Sequence, residues 1–218
     1  MRDFPIFTTE FGVSSLILKE IPYKNEAYIR IRDVQEEAYE DHLRECVSFC
    51  RMAGTEHILA AGHGKLSAYP LYVTLYEMRG TARVEEENLV NLFPVTEQTV
   101  ARWRQICNER MRAVPCAATQ TSREEADILK GGAYFIHREG KLLGIGWLRD
   151  GEILAVAAVE PGMGRTVLNT LLSLAEGEPV HLEVASTNER AIRMYESMGF
   201  VKTAEKTRWY DVGQPTQK

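Results

Sequence analysis

Polar side chains that could contact a ligand recur along one predicted helix near the carboxyl end of the sequence. Asn188, Ala191 and Tyr195 are separated by three and four residues, so they share one face of that helix. An amide and a phenol on one face can bind a ligand. A tyrosine buried in the core with its hydroxyl hydrogen-bonded explains Tyr195 equally well. The spacing alone leaves both interpretations open.

A second candidate site is the turn at 160–165, which joins an apolar strand to a helix. Its Gly162-Met163-Gly164 sequence lets backbone N–H groups at a helix N-terminus approach an anion, and the helix dipole favours negative charge there. Such a turn could bind a pyrophosphate. Glycines at strand-to-helix turns also serve close packing alone. The turn by itself therefore does not establish an anion site.

The cysteines and His42 do not favour a metal site. Cys46 and Cys50 fall on one stripe of a predicted helix with apolar neighbours, which is typical of a buried face. His42 extends the pair to an i, i+4, i+8 series, but the outer two residues lie about 12 Å apart along a helix. Cys107 and Cys116 have no paired spacing either. We expect reduced thiols and no metal.

The elements that position these sites are predicted to alternate between helix and strand. This order predicts an α/β fold with a mixed central β-sheet flanked by helices. The predicted strands are 13–20, 27–33, 57–61, 71–78, 89–95, 133–137, 141–148, 153–159 and 180–184, with terminal strands near 200 and at 208–212. The predicted helices are 35–53, 96–111, 122–130, 164–175 and 188–198. The strand 153–159 is continuously apolar, as strands buried on both faces are.

Helix boundaries are predicted from caps and from apolar periodicity. Four helices have a candidate N-terminal cap, and Gly199 is placed to end the last helix in the left-handed conformation. The candidate caps are Asp33 with Glu36, Thr96, Ser122 with Glu125, and Ser186 with Glu189. In the helix 96–111, the inward positions are Val100, Trp103, Ile106 and Cys107.

Two domains are predicted, at 1–82 and 88–218. Residues 80–88 have few apolar side chains and a run of charges, which is typical of a connector. The acidic residues 85–87 are interpreted as solvated surface. The boundary is therefore placed within this segment.

The composition narrows the classes of function. The chain has 218 residues, 44% of them hydrophobic and 26% charged, which indicates a globular protein. Its formal net charge of -5 argues against a nucleic-acid surface and suits an amine-bearing partner. No apolar run approaches the roughly 20 residues that span a bilayer, and the first residues lack a signal-peptide core. We expect a cytoplasmic protein that binds neither nucleic acid nor membrane.

The segment 184–200, VASTNERAIRMYESMGF, resembles the closing signature of the GNAT family of acetyltransferases. The helix GMGRTVLNTLL is similar to the acyl-CoA pyrophosphate motif of the same family. The order of predicted elements over 88–212 also matches, which implies the GNAT fold. The smaller N-terminal α/β unit looks like a degenerate half of a GNAT domain, but it has no glycine turn.

The resemblance implies an acyl-CoA-dependent N-acyltransferase that transfers an acetyl group from acetyl-CoA to a primary amine. Tyr195 matches the family's proton donor to the leaving thiolate. The implied coenzyme A contacts are Ala157, Ala158, Val159, Gly162, Met163, Gly164, Arg165, Thr166, Asn188, Ala191 and Tyr195. One departure is a shortened glycine turn without the Arg or Gln that usually precedes it. Arg165 and Thr166 could compensate for the lost donors.

Several questions stay open at this point. The general base could be Glu124, Glu125, His137, Glu152 or Glu183, or water could take the proton. The acceptor is a small-molecule or peptide amine of unspecified identity, and a homodimer is an open alternative. The competing hypothesis is a non-catalytic acyl-CoA-binding or interaction module with the same fold, which the shortened turn favours. Thiol release in the presence of amines separates the two.

Overall fold

The computed structural model describes residues 5–81 and 84–213 and divides the chain into two compact units. Unit 1 comprises the described residues of 1–74 and 206–218, and unit 2 comprises those of 75–205. The predicted domains 1–82 and 88–218 stay a prediction, and residues 82 and 83 of the predicted connector lie outside the described residues. No helix within the described ranges is long and apolar enough to cross a membrane.

Unit 1 is a sheet with one long helix packed on it. Its elements are β1 (Ile6–Thr8), β2 (Gly12–Ile17), α1 (Ile21–Lys24), β3 (Glu26–Val34), α2 (Tyr39–Met52), β4 (His57–Ala61), the start of β5 (Leu71–Thr81) and the end of β11 (Val201–Asp211). β2 and β3 form an antiparallel pair, and β3 pairs in parallel with β4 through the α2 crossover. The α2 stripe with Cys46 and Cys50 is buried against this sheet, as predicted.

Unit 2 is a mixed sheet with helices on both faces. Its further elements are β6 (Asn91–Pro94), α3 (Val100–Met111), α4 (Glu125–Ile128), β7 (Ala133–Arg138), β8 (Lys141–Arg149), β9 (Glu152–Ala158), α5 (Gly164–Leu172), β10 (Pro179–Ala185) and α6 (Glu189–Ser197). The strand order is β5-β10-β9-β8-β7-β6, and β9 and β10 are parallel while the other described pairs are antiparallel. The predicted mixed sheet flanked by helices is confirmed.

The two faces of the unit 2 sheet carry separate apolar clusters. On one face α5 and α6 bury Val167, Leu171 and Ile192 against the strands. On the other face α3 buries the four predicted inward residues, and Trp103 packs edge-on against Trp147 at 6.0 Å between ring centroids. The amphipathic periodicity of α3 therefore predicted its buried face correctly.

The helix α2 begins later than predicted. β3 stays paired with β2 as far as Val34, which lies opposite Gly12. Asp33 is therefore part of a strand and does not cap a helix. A 3-10 turn at Glu36–Ala38 follows, and α2 itself begins at Tyr39. The start of α2 is therefore determined by the pairing of β3 with β2 and not by the local capping pattern.

Two further caps differ from the predicted ones. The capping box precedes α4 at Thr121, whose backbone N–H donates to Glu124 at 2.7 Å, so the prediction of Ser122 is wrong. The helix α3 follows Thr99 rather than Thr96. The predicted terminal strands are a single strand, β11. Each predicted helix exists, and the errors concern where it begins.

Candidate functional site

The parallel strands β9 and β10 separate soon after they begin to pair. Their described register couples Glu152 with His181 and Ile153 with Leu182, and extends no further. β9 nevertheless continues to Ala158. Parallel neighbours normally exchange evenly spaced hydrogen bonds along their length. The later backbone groups on this edge of β9 are therefore left without a partner strand, and a gap opens beside them.

Only part of the predicted segment Ala157–Val159 presents free backbone groups to this gap. The N–H of Val159 donates to the carbonyl of Leu143 on the β8 side at 2.8 Å. Backbone groups alternate in direction along a strand, so those of Val156 and Ala158 point away from β8. The amide of Ala158 is thus the group best placed to contact a molecule lying in the gap.

The glycine turn closes tightly in front of α5. Gly162 has a φ of +83°, a conformation that favours glycine, and the Met163 N–H donates to the Glu160 carbonyl at 3.3 Å. No side chain of the described residues caps the helix. The first N–H groups of α5, from Gly164 to Thr166, have no acceptor within the helix and are available to an anion. The turn thus has the geometry predicted for a phosphate site.

The side chain of Arg165 is paired with an acidic residue. Its guanidinium lies 2.7 Å from Glu85 and donates to the Ser197 hydroxyl at 3.1 Å. The hydrogen bond from Arg165, followed by one from Asn88, lowers the pKa of Glu85 below its usual value. Glu85, one residue of the acidic run 85–87, therefore neutralises the charge of Arg165.

Glu85 is held in this position by a buried amide on α5. Asn169, 1% exposed, accepts from the Glu85 backbone N–H at 2.8 Å and donates to its carbonyl at 2.9 Å. Sequence reasoning missed this contact. The sequence does indicate that a partner is needed here, because Asn169 and Thr170 interrupt an otherwise apolar helical run. Buried polar side chains require hydrogen-bond partners.

Asn188 lies at the start of α6. Its Oδ1 accepts from the Ala191 N–H at 3.4 Å, so Asn188 and not Ser186 is the N-cap. Within the described residues its amide nitrogen makes no hydrogen bond and is free to donate to a ligand. Gly199, with a φ of +89°, ends the helix as predicted.

Tyr195 is almost completely buried, with 8% of its surface exposed. Its ring lies 5.9 Å from that of Phe200. Burial raises the pKa of the phenol to about 12, which keeps it protonated at neutral pH. Among the described residues the hydroxyl has no hydrogen-bond partner. The hydroxyl is not among the enclosed polar atoms without a partner, so it borders open space and can contact a ligand or solvent.

The predicted site residues divide between the two faces of the sheet. Ala158, Met163 and Ala191 pack on the same apolar cluster as Tyr195. Ala157 and Val159 pack on the opposite face, against α3. The structure therefore brings together the gap, the turn and α6 on the α5–α6 face.

Three of the candidate bases are committed elsewhere. Glu124 completes the capping box, and Glu125 pairs with Arg104 at 2.9 Å. The ring of His137 packs edge-on against Phe93, 5.2 Å between ring centroids. None of these three residues lies on a strand or helix that borders the gap.

The remaining two candidates lie on the strands that form the gap. Glu152 lies where β9 and β10 still pair, whereas Glu183 follows Leu182, the last residue of β10 that pairs with β9. Glu183 is exposed and stands directly opposite Glu77 of β5. Of the five candidates, Glu183 is the one at the open part of the gap. No group of His, Cys, Asp or Glu within the described ranges could hold a metal ion.

The sequence is similar to one curated enzyme over a limited stretch. It is 41% identical over 51 residues to N-alpha-acetyltransferase RimI of Mycobacterium tuberculosis. The match covers 23% of this chain and 32% of that enzyme. No protein-family model matches the chain.

Solved structures are similar over most of the chain. A conserved protein of unknown function from Staphylococcus epidermidis matches with a TM-score of 0.59 at 12% identity, covering 96% of this chain and 93% of that one. A putative acetyltransferase from Pyrococcus horikoshii gives 0.59 at 12% identity, covering 95% and 72%. A GNAT-family acetyltransferase from Colwellia psychrerythraea gives 0.51 at 13% identity, covering 94% and 84%. At sequence identities this low, the similarity shows a shared fold and nothing more.

Proposed function

Because the chain has the fold of the GNAT acetyltransferases, we propose that it is an acyl-CoA-dependent N-acyltransferase, moving an acetyl group from acetyl-CoA to a primary amine. The observation that carries the proposal is the early end of pairing between β9 and β10. An unpaired strand edge beside an uncapped helix N-terminus suits a ligand with an amide-bearing arm and a diphosphate.

The proposed contacts follow the length of that ligand. The Ala158 backbone pairs with the pantetheine arm in the gap, and the first N–H groups of α5 receive the diphosphate at the glycine turn. Asn188 donates its free amide to the arm. Of the implied contacts, Ala157 and Val159 shape the strand, while Gly162, Met163 and Ala191 shape the surface against which the ligand lies.

The proposed reaction requires a neutral amine. Its nitrogen attacks the thioester carbonyl carbon, so a C–N bond forms and the C–S bond breaks. The charge that develops on the carbonyl oxygen is stabilised by the Ala158 N–H. Tyr195 gives a proton or hydrogen bond to the departing thiolate. The nitrogen loses its proton to water or to Glu183.

The acceptor and the compartment are also proposals. The exposed Glu183 suits an amine that arrives positively charged. A peptide α-amine belongs among the acceptors to be tested because of the similarity to N-alpha-acetyltransferase RimI. The four cysteines are free, which suits a reducing compartment such as the cytoplasm.

The test is release of free thiol from acetyl-CoA by the full chain. A panel of small primary amines and short peptides with free α-amines is used, with buffer and a tertiary amine as controls. The proposal predicts thiol release that requires a primary amine and yields an equal amount of the acetylated amine. Binding of acetyl-CoA without release across the panel would favour the non-catalytic module, and no binding would exclude both.

A further inference from the structure

We propose that Arg110, on the last turn of α3, supplies the positive charge that the glycine turn lacks, and that it contacts the diphosphate of coenzyme A. The inference rests on the proposed function. It concerns a residue far from the turn in sequence, on a helix that packs against the opposite face of the sheet from α5.

The position of Arg110 is fixed by a contact at the end of β9. Its Nη2 donates to the carbonyl of Val159 at 2.5 Å. Val159 directly precedes the turn, where the Glu160 carbonyl accepts from Met163. The guanidinium therefore lies at the end of β9, directly before the glycine turn.

Two other cations at the turn are paired with acidic side chains. Arg165 is paired with Glu85 at 2.7 Å, and Lys141 is paired with Glu160 at 2.9 Å. Arg110 is exposed and has no carboxylate partner within the described ranges. Its charge is thus not offset by an acidic side chain of the described residues.

The chemistry of the guanidinium permits both contacts at once. It presents five N–H donors in a planar fork, and the Val159 carbonyl uses one of them. The remaining donors can bind phosphate oxygens, which arginine often does in a bidentate manner. An anion bound there would also be attracted by the α5 dipole.

The test compares Arg110→Gln with Arg102→Gln in the full chain. Arg102 is an exposed arginine of the same helix that donates to Gln105, so it controls for a general loss of charge. Dissociation constants are measured calorimetrically for coenzyme A, for dephospho-coenzyme A, which keeps the diphosphate, and for pantetheine, which lacks it. Melting temperatures without ligand verify that both variants fold.

A lost charge-assisted hydrogen bond should weaken binding about 10- to 100-fold. The proposal predicts this loss in Arg110→Gln for both phosphate-bearing ligands, with pantetheine binding unchanged and Arg102→Gln similar to wild type. Equal weakening of pantetheine, or weakening of coenzyme A without dephospho-coenzyme A, overturns the diphosphate assignment. So does a variant with unchanged affinity. Wild-type protein that binds none of these ligands would instead refute the proposed function.

Discussion

The hydroxyl of Tyr195 is the most specific chemical feature of the site. The tyrosine is 8% exposed, its phenol is protonated at neutral pH, and no described residue forms a hydrogen bond with the hydroxyl. Tyr195→Phe deletes only this hydroxyl, so the free energy of unfolding should change little. A lost proton donor should lower kcat by about 10²- to 10⁴-fold, with KM for acetyl-CoA nearly unchanged. Thiol release measured in steady state tests this, with Tyr134→Phe as the control.

An acyl donor with a more acidic leaving thiol makes the test specific. A better leaving group needs less help from a proton donor, so the deficit of the Tyr195→Phe variant should shrink with that donor. Equal kcat for wild type and variant on both donors would exclude Tyr195 from the chemistry.

His42 should make unit 1 sensitive to acid. Its ring is fully buried, and its two nitrogens lie 2.9 Å from the Thr9 hydroxyl and 2.8 Å from that of Ser14. Burial lowers the pKa of this histidine, so the folded state prefers the neutral ring. The unfolded chain takes up a proton near the ordinary value of about 6.5. The contribution of His42 is therefore present above that pH and lost progressively below it.

The measurement is the free energy of unfolding in urea at pH 7.5 and pH 5.5. Stability should fall on acidification, and the fall should be smaller in His42→Asn, whose amide can still donate and accept. His181→Asn, at a half-buried strand position, serves as the control. An identical fall in wild type and His42→Asn would contradict this assignment.

The residues of the site were predictable to different degrees. Gly162 and Asn188 are identifiable from local patterns, because a positive φ and a helix cap each demand particular residue types. Glu85 and Arg110 are not, since their partners lie far away in sequence. A charged side chain on a surface position gives no local signal of the backbone group that it contacts.

Among the elements of the fold, the turn before α5 can be tested most directly for its proposed contact with the diphosphate. A Cβ on Gly164 would lie 3.2 Å from the Met194 sulfur, which is the flexible end of a side chain and can move. Gly164→Val should therefore lower the melting temperature only slightly. It should weaken coenzyme A binding, because a branched side chain crowds the helix start that receives the diphosphate. Calorimetric titration with coenzyme A and pantetheine measures the difference.

Gly64→Val provides the matched control, because a Cβ at Gly64 meets nothing within 4 Å and its φ is not positive. That variant should bind coenzyme A as wild type does. If Gly164→Val weakens pantetheine as much as coenzyme A, the helix start does not contact the diphosphate.

Helices and strands were predicted well because hydrophobic periodicity reports burial directly. The bounds of β4 and the buried face of α3 agree with the pattern. Helix starts were predicted poorly, since Asp33 was drawn into the pairing of β3 with β2. The separation of β9 from β10 could not be predicted either, because an apolar strand has the same sequence pattern whether its edge is paired or open.

At the scale of the molecule, β5 should be required for unit 2 to fold. It pairs with β10 from Leu75 to Thr81 and contributes the fully buried Met78 to the core. A fragment 88–218 lacks this strand and exposes an edge of the sheet, whereas a fragment 75–205 keeps it. We expect a cooperative thermal transition by circular dichroism in the second fragment and none in the first. A cooperative transition in both would support the predicted domain boundary instead.

Acetyl-CoA is proposed to lie in the gap between β9 and β10 and to reach the start of α5. Hydrogen exchange of the full chain, with and without saturating acetyl-CoA, tests this claim most directly. Bound ligand should slow exchange at the free amide of Ala158 and at the first N–H groups of α5, because these donors would gain acceptors. Exchange at the edge strand β1 should stay the same. Unchanged exchange at Ala158 and α5 under saturating acetyl-CoA, or protection confined to unit 1, would contradict the account.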